Sequence, residues 1–263
     1  MLKKVKTYRS IWISDVHLGT RGSKAKELLE FFSYNDSEYL YLVGDIIDGW
    51  RITKKWYWPQ DHNDVIQKLL RKARKGTKII FIPGNHDEGA RHFIGFTFGL
   101  IKIKNQAFHW TLKKKKLWIT HGDLFDTVIQ HARWLAYVGD NAYTFLLWIN
   151  VQFNKIRSLF NLPYWSLSKY VKLKVKKAVS FINAFETLMV KEAKRRGCDG
   201  VICGHIHKSE LKIIDGFIYA NDGDWVESLT ALVEHNDGKL EIVDWIEMKK
   251  NLSINNQLRK KAS

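Results

Sequence analysis

The chain predicts an α/β domain interrupted by a helical insertion, and three observations carry that prediction. Short apolar, β-branched runs alternate with amphipathic helical stretches through the N-terminal part. Five such runs end in a fragment bearing Asp, Asn or His. Between Thr127 and Arg196 the strand signals vanish and helical sequence takes over. The expected boundaries are residues 1–126 and 197–248 for one discontinuous α/β domain, 127–196 for the insertion, and 249–263 for a polar, frayed tail.

Taken in order, Arg9 to Ser14 reads as a buried strand followed by Asp15-Val16-His17. Ser23 is placed to cap a helix whose apolar face is Leu28, Leu29, Phe31 and Phe32. Tyr39 to Val43 is a second strand, ending at Gly44-Asp45-Ile46-Ile47-Asp48. Gly49 to Pro59 has no period and is rich in Trp and basic residues, which predicts an irregular segment, read either as a loop packed by its own aromatics or as a substrate-facing lid. Asp61 to Lys75 is an amphipathic helix with Val65, Ile66, Leu69 and Leu70 inward and Gly76 as its stop. Lys78 to Ile82 is a third strand, ending at Pro83-Gly84-Asn85-His86-Asp87. Strand, fragment and helix in repetition predict βαβ units and a largely parallel sheet, whose ligands gather beyond the C-terminal strand ends.

Phe108 to Leu112 and Leu117 to Thr120 read as hairpin arms around the solvated turn Lys113 to Lys116, with His121-Gly122-Asp123 next. After the insertion, Asp199 to Cys203 returns to strand and leads to Gly204-His205-Ile206-His207. Leu211 to Ile214 pairs with Phe217 to Ala220, and Leu229 to Glu234 with Leu240 to Val243.

Hydrophobic residues are 45% and charged residues 27% of the 263, an ordinary globular balance. The formal net charge of +16 points to an anionic partner. Residues 127–196 carry 12 Lys or Arg against three acids, with Trp134, Trp148 and Trp165 among many aromatics. That composition predicts an element that grips lipid or lies on an anionic membrane surface. Cys198 and Cys203 are expected as reduced, buried thiols. No apolar leader and no spanning stretch is visible, so a cytoplasmic protein peripheral to a membrane is expected.

The fragments share one chemistry. Asp15 and His17 can turn toward one ion, Asp45 can bridge two, Asn85 offers an amide oxygen, and His121, His205 and His207 offer imidazoles. Mixed oxygen and imidazole donors favour manganese, iron or zinc over calcium. Seven ligands suffice for two ions with open positions, and two ions about 3.5–4 Å apart clamp both sides of a phosphoryl transfer.

In their order, DxH, GDxxD, GNHD, HGD and GHxH resemble the calcineurin-like metallophosphoesterase superfamily over residues 9–126 and 198–245. The resemblance implies an αββα sandwich of two sheets with a helical cap, and a dinuclear centre in which manganese is favoured and iron, zinc or magnesium are admitted. One ion would take Asp15, His17, Asp45 and His207, the other Asp45, Asn85, His121 and His205. His86, with Asp48 as its carboxylate partner, would stand by the leaving group as the catalytic pair. Asp123 and Asp222 would support ligating histidines. Within the superfamily, the insertion and Asp222-Gly223-Asp224-Trp225 are similar to the UDP-2,3-diacylglucosamine pyrophosphatase family of lipid A synthesis, which works at the inner face of the bacterial inner membrane. That family has Arg where this chain has His86; GNHD is the pattern of general phosphatases and phosphodiesterases.

Arg51, Arg91, Lys169 and Lys172 are candidates for gripping phosphate oxygens. The expected partner is a phosphorylated lipid or nucleotide-sugar substrate at an anionic membrane surface, and the oligomeric state is open. Two alternatives stand beside it: a phosphatase or phosphodiesterase acting on other phospholipids or nucleotides, and a basic nucleic-acid-binding protein. An intact ligand set weighs against the last.

Overall fold

The computed structural model of the protein describes residues 5–125 and 182–261. The chain divides into two compact units, Met1–Asp123 with Met189–Ser263, and Leu124–Leu188. The predicted insertion falls outside the described residues as far as residue 181, and Lys169 and Lys172 with it.

The first unit is built on two sheets, as the motif resemblance implied. Strands β1 (Lys6–Ile13), β2 (Asn35–Leu42) and β3 (Lys78–Phe81) run parallel, joined by helices α1 (Ala25–Tyr34), then α2 (Gly49–Lys54) and α3 (Gln60–Arg74). A hairpin of β4 (Thr97–Phe98) and β5 (Ile101–Ile103) extends the β3 edge, leaving β4 outermost. The second sheet takes the hairpin β6 (Ala107–Trp110) and β7 (Lys116–Ile119), then β8 (Gly200–Cys203) after the helix α4 over residues 182–195. Strands β9 (Glu210–Ile214) and β10 (Phe217–Asn221) complete this five-stranded sheet in the order β6-β7-β8-β10-β9. β11 (Thr230–Glu234) and β12 (Leu240–Asp244) return to the first sheet, whose order is β12-β11-β1-β2-β3-β5-β4.

The period of two along β1 explains the layers. Ile11 and Ile13 face α1 and α3 in a core with Leu28, Phe31, Val65 and Leu69. Trp12, between them, faces the other sheet in a core with Tyr41, Val43, Leu117, Ile119 and Ile202. Both faces of the central strands are therefore apolar, which is why they read as continuous hydrophobic runs.

Several local expectations are corrected. α1 follows Lys24, and no side chain caps it; Ser23 does not take that role. β2 begins at Asn35, because backbone pairing of Lys6 with Asn35 recruits polar residues that a hydrophobic pattern passes over. Gly49 onward is helical, since the Asp48 carboxylate accepts the Arg51 amide and caps α2. The rest of that loop is packed by its own rings, Trp56 on Trp58 and Trp58 edge-on to His62. The β4–β5 hairpin was not foreseen.

The tail is not frayed from Lys249: α5 runs from Trp245 to Lys261. Asp244 accepts from the amides of Ile246 and Glu247, and the indole of Trp245 is buried against Phe31 and Tyr34. Cap and anchor outweigh the polar composition that follows.

Candidate metal centre

Each predicted ligand lies just past the C-terminal end of a parallel strand. Asp15 and His17 follow β1, Asp45 follows β2 and Asn85 follows β3 in the first sheet; His121 follows β7, and His205 and His207 follow β8 in the second. The loops are laced together by backbone bonds, Asp15 N–H to Gly44 O (3.0 Å), His17 N–H to Asp45 O (2.9 Å) and Gly204 N–H to His121 O (3.1 Å). Asp15, His17, Asp45, His205 and His207 all have φ between +51° and +72°. Left-handed backbone costs a non-glycine residue about 1–2 kcal/mol, and five such residues in one place mark a site held against local preference. Close approach is needed as well: a Cβ on Gly84 would lie 2.3 Å from an Asp45 oxygen and 2.6 Å from the His121 ring.

The donor atoms form three overlapping groups, each spanning less than 4.8 Å: Asp15 with His17 and His207, His17 with Asp45 and His86, and Asp45 with His121 and His205. His207 Nε2 is 3.0 Å from Asp15 Oδ1, and His17 Nε2 is 3.7 Å from Asp15 Oδ1 and 3.9 Å from Asp45 Oδ2. On the other side His121 Nε2 is 3.4 Å from Asp45 Oδ2 and 3.2 Å from His205 Nδ1. Donors that share one ion at bond lengths of about 2.1 Å stand roughly 3–4 Å apart. Asn85 is buried, and among the described residues its side-chain amide has no hydrogen-bond partner. An orphan buried amide beside converging imidazoles and carboxylates fits the chemistry of a metal-ligand set. These clusters suit a dinuclear metal site with Asp45 between the two halves.

The supporting contacts decide tautomers. His121 donates Nδ1–H to Val43 O (2.7 Å), which aims Nε2 at Asp45. His17 donates Nδ1–H to Asp48 (3.2 Å), which aims its Nε2 at Asp15 and Asp45. The Asp48 oxygen that takes His17 also stands 3.0 Å from His86 Nδ1. One carboxylate thus serves a predicted ligand and the predicted leaving-group histidine together.

Electrostatics follow from that crowding. Burial works against charge on His17 and His121, yet carboxylates outweigh it. Asp15 and Asp48 bring His17 to about 9, and Asp45 and Asp15 bring His121 to about 10. Burial also opposes the carboxylates of Asp15, Asp45 and Asp48. The imidazoles around them still hold all three well below the usual range.

Other predicted residues take different places. Arg91 pairs with the Asp123 carboxylate and reaches Pro83 O (3.4 Å); among the described residues Asp123 hydrogen-bonds to this arginine, while its charge still helps to raise His121. Arg51 is exposed on α2 and reaches the site through its amide on Asp48. Ser14 Oγ stands 2.6 Å from both Asp222 Oδ1 and Asp15 Oδ2 and bridges the two carboxyls with its single proton, so Asp222 braces a candidate carboxylate ligand where a histidine partner was expected. Its buried carboxyl is pushed well above the usual range by burial and then by the charge of Asp15.

Three contributors had no role assigned from sequence. Ser14 bridges Asp15 and Asp222. Asp87 accepts from the amides of Ile46 (2.8 Å) and Gly84 (2.5 Å), tying the β2 and β3 loops, and burial with the nearby Asp45 charge raises it to about 6. Trp50 lies on His86 with centroids 4.3 Å apart and donates its indole N–H to Glu88 (3.1 Å). The only sequence signal for Ser14 and Asp87 is their place in the ligand-bearing fragments, and for Trp50 its place in the Trp-rich segment read as loop or lid.

Among solved structures the chain is similar to an archaeal phosphodiesterase (14% identity, 89% of this chain and 98% of that one, TM-score 0.45). It is also similar to Vps29 of Entamoeba histolytica (13%, 89% and 98%, TM-score 0.41) and to a predicted phosphoesterase of Streptococcus pneumoniae (12%, 90% and 90%, TM-score 0.38). Likeness at that level does not bear on substrate. No curated protein matches the sequence. The model of the calcineurin-like phosphoesterase family matches residues 8–209, well over half of the chain, and to that family the protein belongs.

Proposed function

We propose that the protein hydrolyses a lipid-linked or nucleotide-sugar pyrophosphate of the UDP-2,3-diacylglucosamine type, working as a peripheral protein on the cytoplasmic face of an anionic membrane. The observation that carries the hydrolytic reading is the run of three donor groups linked through His17 and Asp45, with His86 a member of the middle one. Two divalent ions held there, with manganese the first candidate, would supply Lewis-acid activation of water and of phosphoryl oxygens.

The chain's own residues do the rest. Asp48 holds His86 by Nδ1, leaving its Nε2 directed at the Asp45 side of the site (4.0 Å) to donate to a leaving oxygen. Trp50 covers His86 on one face and shields that donor from water. Ser14 and Asp222 keep Asp15 oriented. The lipid part of the reading is supported by the composition of residues 127–196, basic and aromatic with no acid between Asn154 and Lys177. His86 itself favours a second reading, a phosphodiesterase or phosphatase acting on other phospholipids or nucleotides.

A manganese-supplemented hydrolysis screen separates them by comparing UDP-2,3-diacylglucosamine, simple phospholipid phosphates and cyclic nucleotides in detergent. Preferential turnover of the first supports the pyrophosphatase reading, and equal activity on soluble nucleotides removes it. Asp45→Ala should lower every hydrolytic activity by at least about a thousandfold. Hydrolysis untouched by that change would sink the two-metal reading.

A further inference from the structure

The segment that leaves the metal centre is apolar, well braced and turned to solvent. Immediately after Asn85, His86 and Asp87, the short 3-10 helix Glu88–Phe93 leads into the β4–β5 hairpin. Every residue from 92 to 100 is exposed, and Phe93, Ile94, Phe96, Phe98 and Leu100 are between 39% and 66% exposed. Single exposed apolar residues are ordinary, but five within eight positions, from the end of the 3-10 helix to the hairpin turn, are not.

Loose structure does not account for the exposure. Gly95 N–H donates to Ile103 O and Ile103 N–H to Phe96 O, both at 3.0 Å, so the hairpin is closed by its backbone. Gly99 lies on α3 so tightly that a Cβ would come within 2.5 Å of Leu70. The turn residues Gly99 and Leu100 have φ of +52° and +74°. Such a turn favours Asn, Asp or Gly, and leucine there is unfavourable in backbone and in hydration alike. An asparagine would relieve both costs in water; a leucine fits a tip that sits in an apolar medium.

The charge around the tip selects that medium. From Gly89 to Gln106 there is no Asp or Glu, and Lys102 and Lys104 stand exposed on and just beyond β5. An apolar tip flanked by lysines, on a chain of net charge +16, complements an anionic bilayer. We propose that the β4–β5 hairpin is a membrane-docking element: Phe93, Ile94, Phe96, Phe98 and Leu100 enter the headgroup boundary, and Lys102 and Lys104 meet lipid phosphates. This rests on the membrane reading above, not on the identity of the lipid substrate. Because the hairpin continues the loop of Asn85 and His86, docking would bring the metal centre to the membrane surface.

The test uses the full chain and vesicles of phosphatidylcholine, with or without about 30% phosphatidylglycerol. Cys198 and Cys203 are buried, so Leu100→Cys can be labelled with a polarity-sensitive fluorophore. The label should shift to the blue and become shielded from an aqueous quencher with the anionic vesicles and not with the neutral ones. Phe96→Ser combined with Phe98→Ser should weaken vesicle binding at least about tenfold, with turnover of bis(4-nitrophenyl) phosphate unchanged. An unshifted label on vesicle-bound protein overturns the proposal, as does a label already shielded before vesicles are added, or a double variant that binds like the parent. A shifted label without turnover of UDP-2,3-diacylglucosamine would refute the substrate and leave the docking intact. Turnover of that lipid in detergent with an unshifted label would do the reverse.

Discussion

Asp48 is the residue that ties the candidate metal site to His86. It fixes the His17 ring, stands against His86 Nδ1 and caps α2 with its other oxygen. Asp48→Asn keeps the capping oxygen, so its effects should fall on the histidines. Metal affinity should drop about 10–100-fold through His17, and turnover should stay reduced at saturating metal through His86. His86→Gln should cut turnover about a hundredfold while metal affinity changes little. Metal titration and kcat at saturating metal, measured on both variants, separate the roles; equal loss of affinity in the two would refute the division. Protons give a second handle on the same residues. In metal-free protein the contacts that raise His17 to about 9 and His121 to about 10 contribute fully below the ordinary histidine value of 6.5 and are lost as pH rises through 9 to 10. Ions need those nitrogens unprotonated, so loading near pH 7 should expel protons and affinity should rise with pH. Calorimetric metal titrations in buffers of different ionisation enthalpy should reveal that release, and a buffer-independent heat would contradict it.

At the scale of elements, α5 shows how one side chain reverses a compositional expectation. Its sequence after Lys249 is polar, yet the helix is nucleated by the Asp244 carboxylate and moored by Trp245, 1% exposed. Trp245→Ala should cost about 3–5 kcal/mol, since Phe31 and Tyr34 lose their packing partner, and Asp244→Ala about 1 kcal/mol. Denaturant midpoints measure both; a Trp245→Ala protein as stable as the parent would mean α5 is not moored there. The same logic explains α2, a short helix made by a cap and invisible to periodicity.

Across the whole molecule, the two sheets are coupled by a buried polar cluster. Glu234 in the first sheet accepts from Arg9 (2.6 Å) and the Leu112 amide (2.8 Å), and pairs with His109 Nε2 (2.8 Å) in the second. Tyr41 contacts the other nitrogen of that ring (3.0 Å). Burial opposes the Glu234 charge, but His109, the Leu112 amide and Arg9 hold its carboxyl below the usual value of 4.5. A lowered carboxyl contributes stability above its unfolded value and loses it as pH falls through the folded one. Glu234→Gln should therefore lower stability by about 2–3 kcal/mol at pH 7, and the gap from the parent should close as pH falls below 4.5. A pH-independent gap in unfolding free energy would show that the cluster is held by shape and not by charge.

The sequence by itself determined the order of strands, fragments and helices, because burial on both faces writes β1, β2 and β3 as apolar runs and polar ligands must interrupt them at their ends. The seven candidate ligands were legible for the same reason: Asp, Asn and His directly after such runs have no role in the core. Tertiary structure alone decided what those ligands share. Asp48 joins His17 to His86, Ser14 joins Asp15 to Asp222, and Arg91 pairs with Asp123, across separations of up to 208 residues. No local period records contacts between loops of different strands. The β4–β5 hairpin was hidden likewise, since nothing in a short apolar stretch records which way the fold will face it.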